Sequence, residues 1–505
     1  MTKTRYTRRD WLIAGALCLL ALAAALAHLT TGLPHWGDDH SAYIAEAISI
    51  VDGRFGEQNA LNAFMHPSAL PEEARGQDLV YVWGYPLLLA PVYRAVGFDR
   101  VDYSTIICYK IPSALCLGLM AGVLYLFFRR RFGAWASAAL ALILYAQDEL
   151  YLGVNMLYPD VPFMFFCALL MLLMEIFLAH VRERGWSVLC GALYGAALWY
   201  TREVRLNGAA VGFAMLLGHA LALLTGRIKW NRREWWRHLL PYALALALTL
   251  VTERLWLSPA TGNLSDVGRA PLRAIWRNVV GTAQCLFEFA DSLSGARLIL
   301  PGALLAVCAV IGMATGGFRE NFHLTALLIG TIAVVCLMPY FQGMRYLYCV
   351  EPLLLLYAGL GIRWLWRRFP AGKKRAVRLA ATALAAALML LSLTYTALGA
   401  ARAFAQRDAR DYTDVYSVDA VDMYRYIQEN LPEDTVIAFN KPRALYLNTG
   451  RVCFRETVNG HVITEGDYFL HFKPSLNSED VMARSAALLT PAYENEYFVL
   501  FRVEK

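Results

Sequence analysis

Six residues carry the chemistry this chain could perform. Asp38 and Asp39 lie in Leu33-Pro-His-Trp-Gly-Asp-Asp-His-Ser-Ala-Tyr43, and Asp160 lies in Asn155-Met-Leu-Tyr-Pro-Asp-Val-Pro162. Arg202 and Glu203 belong to Tyr200-Thr-Arg-Glu-Val-Arg205, and Arg345 to Pro339-Tyr-Phe-Gln-Gly-Met-Arg-Tyr-Leu-Tyr-Cys-Val-Glu-Pro352, with Tyr346 beside it. A carboxylate in a wet cavity accepts a proton from an attacking hydroxyl, and a second one beside it holds a metal ion or raises its neighbour's pKa. An arginine fork matches phosphate oxygens in two places at once. Plainer readings stand next to these: Asp39 as a helix N-cap, Asp160 as a turn residue between prolines, Arg202 with Glu203 as a structural ion pair, and Arg345 snorkelling to headgroups.

The elements that must position these residues are membrane helices. In 505 residues, 58% are hydrophobic and 17% charged, too little polar surface to clothe a soluble domain of that length. Stretches near 11–31, 105–128, 134–150, 161–180, 186–201, 206–225, 239–257, 296–315, 322–340, 347–366 and 378–398 are each long enough, or nearly so, to cross about 30 Å of hydrocarbon. That gives roughly eleven spans. Lys3/Arg5/Arg8/Arg9, Arg129-Arg130-Arg131, Arg182/Arg184, Arg227 through Arg237 and Arg363 through Arg378 fall on alternate connections. Short basic loops stay cytoplasmic, so the N-terminus is expected inside and the C-terminus outside. The net charge of +7 is then topology and not a nucleic-acid footprint. Ten cysteines without a CxxC read as small buried residues.

On this topology Asp38, Asp39, Asp160 and Arg345 all sit at the non-cytoplasmic level, with Arg202 and Glu203 at the outer end of the fifth span. The first outer connection, residues 32–104, is far longer than adjacent helices need, and such loops usually carry function. Within it, 42–51 reads as an amphipathic helix and Tyr81-Val-Trp-Gly-Tyr-Pro-Leu-Leu-Leu-Ala-Pro-Val-Tyr93 as an interfacial one. A second outer segment, 258–297, is expected to rest over the site or act as a lid. Two parts are expected: a transmembrane catalytic part over 1–399, and a soluble α/β part over 400–505 with helices at 419–430 and 443–447 and strands at 435–439, 451–454, 467–472 and 497–503.

Together the motifs resemble the GT-C superfamily of membrane glycosyltransferases, of the protein O-mannosyltransferase and aminoarabinose-transferase type (glycosyltransferase family 39-like). The matching pieces are Asp38-Asp39 with Tyr43, Trp83-Gly-Tyr-Pro-Leu-Leu-Leu-Ala-Pro91, Tyr158-Pro-Asp-Val-Pro162, Trp199-Tyr-Thr-Arg-Glu203, Arg345-Tyr346 and Pro442-Arg-Ala-Leu-Tyr-Leu-Asn-Thr-Gly-Arg451. The resemblance implies a mainly α, polytopic helix bundle with a small extracytoplasmic α/β domain. It implies inverting transfer of a hexose or pentose from a polyprenyl-phosphate donor to a lipid, glycan or protein acceptor outside the plasma membrane. By the same resemblance Asp38, Asp39 and Asp160 are the catalytic acids, and Arg345, Arg202 and Tyr346 contact the donor phosphate. Tyr43, His66, Tyr85, Tyr158 and Glu203 line the cavity, and a divalent cation (Mg or Mn), if used, sits on Asp38 and Asp39. Aminoarabinose transferases carry a Lys-Pro-Pro element in the first loop where this chain has Trp83-Gly-Tyr-Pro, which leaves Arg202 or Arg345 to hold the phosphate. Two other readings are a polysaccharide polymerase or ligase and a lipid-linked sugar transporter. A transporter predicts paired repeats and broken mid-membrane helices, and neither is visible here.

Overall fold

The computed structural model describes residues 6–33, 36–65, 82–100, 103–226, 228, 234–256, 270–288, 299–317, 321–338, 344–368, 374–455 and 462–505. Its helices are α1 (Arg8–Ala27), α2 (Asp39–Asp52), α3 (Phe55–Met65), α4 (Gly84–Val96), α5 (Ile106–Arg129), α6 (Ala134–Leu142), α7 (Asp148–Asn155), α8 (Asp160–His180), α9 (Arg184–Val204) and α10 (Gly208–Leu224). There follow α11 (Trp235–Trp256), α12 (Leu272–Glu288), α13 (Ile299–Gly312), α14 (Phe322–Cys336), α15 (Glu351–Arg368) and α16 (Lys374–Ala405). An α/β unit closes the chain: α17 (Val418–Asn430), β1 (Val436–Ala438), α18 (Pro442–Thr449), β2 (Val452–Phe454), β3 (Tyr468–Phe472), α19 (Leu476–Ser485), β4 (Leu489–Glu494) and β5 (Phe498–Val503).

The chain is a mainly α membrane bundle with a small C-terminal sheet. A helix falls on each of the eleven expected spans. Among the described residues, Arg8–Ala27, Tyr103–Arg129 and Asp160–His180 are each long and apolar enough to cross a membrane alone; the apolar helices Ala134–Tyr145, Gly208–Leu224, Leu304–Gly317 and Phe322–Cys336 are shorter. The third expected span, 134–150, is broken: α6 tightens into a 3-10 turn at Ile143–Ala146, and α7 begins at Asp148. Polar Gln147 and Asp148 interrupt the apolar run at that point. Helix pairs α1/α5, α13/α15, α9/α11 and α10/α14 build the bundle. At the α13/α15 crossing a Cβ on Gly361 would meet the Cys308 carbonyl at 1.9 Å, so only glycine allows that approach.

One end of the bundle is pinned by charge. Arg130 and Arg131 donate to the buried carboxylate of Glu175, which also accepts from His323 Nε2 at 2.6 Å. Arg129 donates to Asp10 at 2.7 Å, the acid of a capping box with Thr7 at the start of α1.

The first long loop contains α2, α3 and α4. The C-terminal sheet has the order β2-β1-β3-β5-β4, parallel across β2-β1-β3 and antiparallel thereafter. The expected strands are present, and β4 adds an edge bearing Pro491, a residue that edge strands tolerate because it leaves no ladder donor missing. Helix α16 runs unbroken through residue 400 to Ala405. The two parts share a core: Tyr43, Ile44, Tyr85 and Leu157 pack in one buried cluster with Val415, Tyr424, Leu445 and Leu500.

Candidate active site

Asp160 is the first residue of α8, and its carboxylate is 2% exposed. Arg345 spans both oxygens, donating Nη2 to Oδ2 at 2.8 Å and Nε to Oδ1 at 3.3 Å, and Arg205 also donates to Oδ1. Two cations on one buried carboxylate leave a net positive charge at the helix start. Each guanidinium also lies over a ring: Arg205 over Tyr346 at 4.5 Å and Arg345 over Tyr158 at 4.4 Å. Arg205 is 14% exposed but Arg345 is 37% exposed, so Arg345 presents the accessible part of this charge.

The turn that delivers Tyr158 and Asp160 is itself constrained. Leu157 has φ 54, in the left-handed region, and is fully buried. A branched non-glycine residue there costs on the order of 1 kcal/mol, which the packing of its side chain offsets. The Tyr158 hydroxyl is pushed up to about 12, by burial first and then by the negative charges of Asp39 and Asp160, with Arg345 opposing. Tyr158 therefore stays protonated, and Asp39 is near enough to act on it. Asp39 itself is half-buried at the start of α2. One helical turn on, Tyr43 meets Tyr85 edge to face at 5.1 Å and lies near Arg205. Tyr85 in turn hydrogen-bonds Ser113 at 3.1 Å.

The residues expected from the sequence divide into three groups. Asp160, Arg345, Tyr158 and Tyr346 gather around one centre, Tyr43 and Tyr85 pack beside it, and the charge of Asp39 is felt at Tyr158. His66 lies outside the described residues. Asp38, Arg202 and Glu203 face elsewhere. Asp38 Oδ1 accepts the backbone N–H groups of Arg443 and Ala444, each at 3.0 Å, so adjacent aspartates point to different partners. Arg202 donates to Glu203 at 2.7 Å and also to Glu253 on α11, while Glu203 accepts from Thr252 at 3.2 Å. That is the structural ion pair of the plainer reading, extended to a second helix. It lies at an open apolar crevice of about 870 Å³ lined by Leu198, Trp199, Leu206, Phe213 and Leu246.

Arg205 was not among the expected site residues. The motif showed a second arginine but not its direction: the chain leaves α9 in extended conformation at Arg205, and its guanidinium reaches Asp160. As a metal site the aspartate pair fits poorly. Asp38 commits one oxygen to two amides, and the described residues contain no group of three or more His, Cys, Asp or Glu that could hold an ion.

Residues 102–256 match the dolichyl-phosphate-mannose-protein mannosyltransferase family, a stretch containing Asp160, Arg202 and Arg205. No curated protein sequence matches the chain. Among solved structures, ArnT from Cupriavidus metallidurans in the apo state is similar with TM-score 0.62 and 15% identity, covering 97% of each chain. The same protein bound to undecaprenyl phosphate gives 0.60 and 14% over 98% of each. The Archaeoglobus fulgidus oligosaccharyltransferase in the apo form gives 0.54 and 11%, covering 92% of this chain and 69% of that one. The chain thus has the GT-C glycosyltransferase fold, with the sequence pattern of the dolichyl-phosphate-mannose-protein mannosyltransferases across its central helices.

Proposed function

We propose that the protein transfers a sugar from a polyprenyl-phosphate donor to a hydroxyl-bearing acceptor on the extracytoplasmic side of the membrane, with inversion at the anomeric carbon. The observation that carries this reading is the arrangement at Asp160: two arginines on one buried carboxylate, one of them accessible, with the charge of a second carboxylate, Asp39, acting on the neighbouring Tyr158.

Asp39 accepts the proton of the acceptor hydroxyl. The acceptor oxygen forms its bond to the anomeric carbon as the bond from that carbon to the donor phosphate oxygen breaks. The electron pair leaves with the polyprenyl phosphate, whose charge Arg345 stabilises. Asp160 is then a holder of arginines and not a base, because its charge is already matched by two cations. The crevice beside Arg202 and Trp199 supports a lipid donor, offering an apolar channel for an isoprenoid tail one helical turn from Arg205. The ArnT structure with bound undecaprenyl phosphate supports the same donor class. The outward side rests on the basic clusters at Arg129–Arg131 and beyond Arg363, which belong to the other end of the bundle.

The test uses membranes containing the full chain and a panel of undecaprenyl-phosphate hexoses and pentoses, with mass spectrometry of envelope glycans and glycolipids from cells with and without the gene. One sugar is expected to disappear with the gene and to be transferred by wild type but not by Asp39→Asn. Normal transfer by a folded Asp39→Asn protein would sink the assignment.

A further inference from the structure

Helix α18 begins with Pro442, so its first unsatisfied backbone donors are the N–H groups of Arg443 and Ala444. The residue at its N-cap position, Lys441, makes no side-chain cap. Both donors are instead satisfied from 405 and 406 residues away by a single oxygen of Asp38. An N-cap acceptor serves the second and third residues of a helix, and Asp38 performs that task from another part of the chain.

The chain before Asp38 is held at Thr30 to Leu33 and at Trp36, by residues of the C-terminal part and by the bundle. Thr31 N–H donates to Arg407 O at 3.0 Å, and Val415 N–H to Leu33 O at 3.4 Å. Trp36 Nε1 donates to Tyr412 O at 3.2 Å, and its ring packs within 5.4–6.3 Å of Phe498, Phe472, Phe439 and Tyr424. From the bundle side, the buried Lys110 donates to Thr30 O at 2.8 Å and Gly32 O at 2.5 Å. The last point of attachment before Asp39 is the Asp38 carboxylate.

We propose that Asp38 is a positioning residue: by capping α18 it locks the start of α2, and so aims Asp39 at the Tyr158–Arg345 centre. The C-terminal α/β unit is by this account a structural part of the active site. The inference rests on the reading of Asp39 as the proton acceptor. Both α18 amides use Asp38 Oδ1, which asparagine also possesses, so asparagine keeps this cap while removing the charge, and alanine removes both. A displacement of about 1 Å at a reacting group costs on the order of a hundredfold in rate.

The experiment compares Asp38→Asn, Asp38→Ala and Asp39→Asn, reading release of undecaprenyl phosphate from an undecaprenyl-phosphate sugar that wild type turns over, with size exclusion and thermal unfolding in detergent to confirm folding. Asp38→Asn is expected to keep kcat within about threefold of wild type with an unchanged pH profile. Asp38→Ala is expected to lose roughly 10- to 100-fold in kcat with little change in donor KM. If alanine does not fold, Asp38→Ser takes its place, with a shorter and weaker acceptor and an intermediate loss. A folded Asp38→Asn as inactive as Asp39→Asn would overturn the proposal, since charge and not placement would then be the need; so would normal kcat in Asp38→Ala. Activity in Asp39→Asn is a separate outcome that removes the underlying reading whatever the Asp38 variants do.

Discussion

Asp160 and Arg345 stand 185 residues apart in the chain and 2.8 Å apart in the structure, and the same carboxylate also receives Arg205. Removing one member of a buried ion pair strands the others at a cost of about 3–5 kcal/mol. Asp160→Ala is therefore expected to lower the thermal midpoint markedly and to abolish transfer. Asp160→Asn is expected to fold better than alanine yet lose at least about a hundredfold in turnover, because two guanidiniums face each other without a counter-charge. Differential scanning fluorimetry in detergent with a transfer assay checks both, and full activity in either variant contradicts the arrangement.

Arg345 is the accessible partner, and in the proposed reaction its planar fork would span the Asp160 carboxylate and the donor phosphate as no ammonium could. Arg345→Lys is expected to retain stability and lose roughly 10-fold in kcat, while Arg345→Ala loses on the order of 10²–10³, the scale of removing one donor to a developing oxyanion. Equal activity of lysine and alanine variants would show that the charge is not used.

Gly84 opens α4 directly against α9. A Cβ there would sit 2.3 Å from the Glu203 carbonyl carbon, backbone that cannot swing aside, and Tyr200 donates to the Gly84 carbonyl at 2.9 Å. Gly84→Ala is expected to push α4 off α9, displace Tyr85 and reduce both thermal midpoint and turnover. A wild-type melting curve for this variant would mean the two helices separate at no cost.

Glu46 on α2 is 1% exposed, and burial raises its carboxyl to about 8 against the opposing pull of Arg443 and Asn62. In the unfolded chain the same group titrates near its ordinary 4.5. Between those values the folded form binds the proton that the unfolded form has released, so this contribution to stability is complete below about pH 4.5 and declines as pH rises toward 8. The slope is at most about 1.4 kcal/mol per pH unit. Glu46→Gln is expected to flatten that decline, which unfolding curves from pH 5 to 9 for both proteins measure directly. Parallel curves would place Glu46 in water.

Much of the architecture was legible because a bilayer leaves few solutions: an apolar run of sufficient length must be a helix. Where a polar pair such as Gln147-Asp148 sits inside an apolar run, length alone misleads, and the span breaks. The site was legible as residue types, but not as directions. Arg202 and Arg205 occupy one motif, and nothing local says that the first pairs with Glu253 while the second reaches Asp160.

What the sequence determined by itself was the class of structure and the set of candidate groups, since hydrophobic length, charge asymmetry and the Asp, Arg and Tyr motifs are local quantities. Which carboxylate faces which cation was settled by folding alone. Asp38 and Asp39 are neighbours of identical chemistry, and they part because α18, four hundred residues onward, brings two unsatisfied amides to one of them while α8 and the Arg345 turn bring Tyr158 and a guanidinium near the other. The energy of such a choice lies in groups that have no partner until the chain folds.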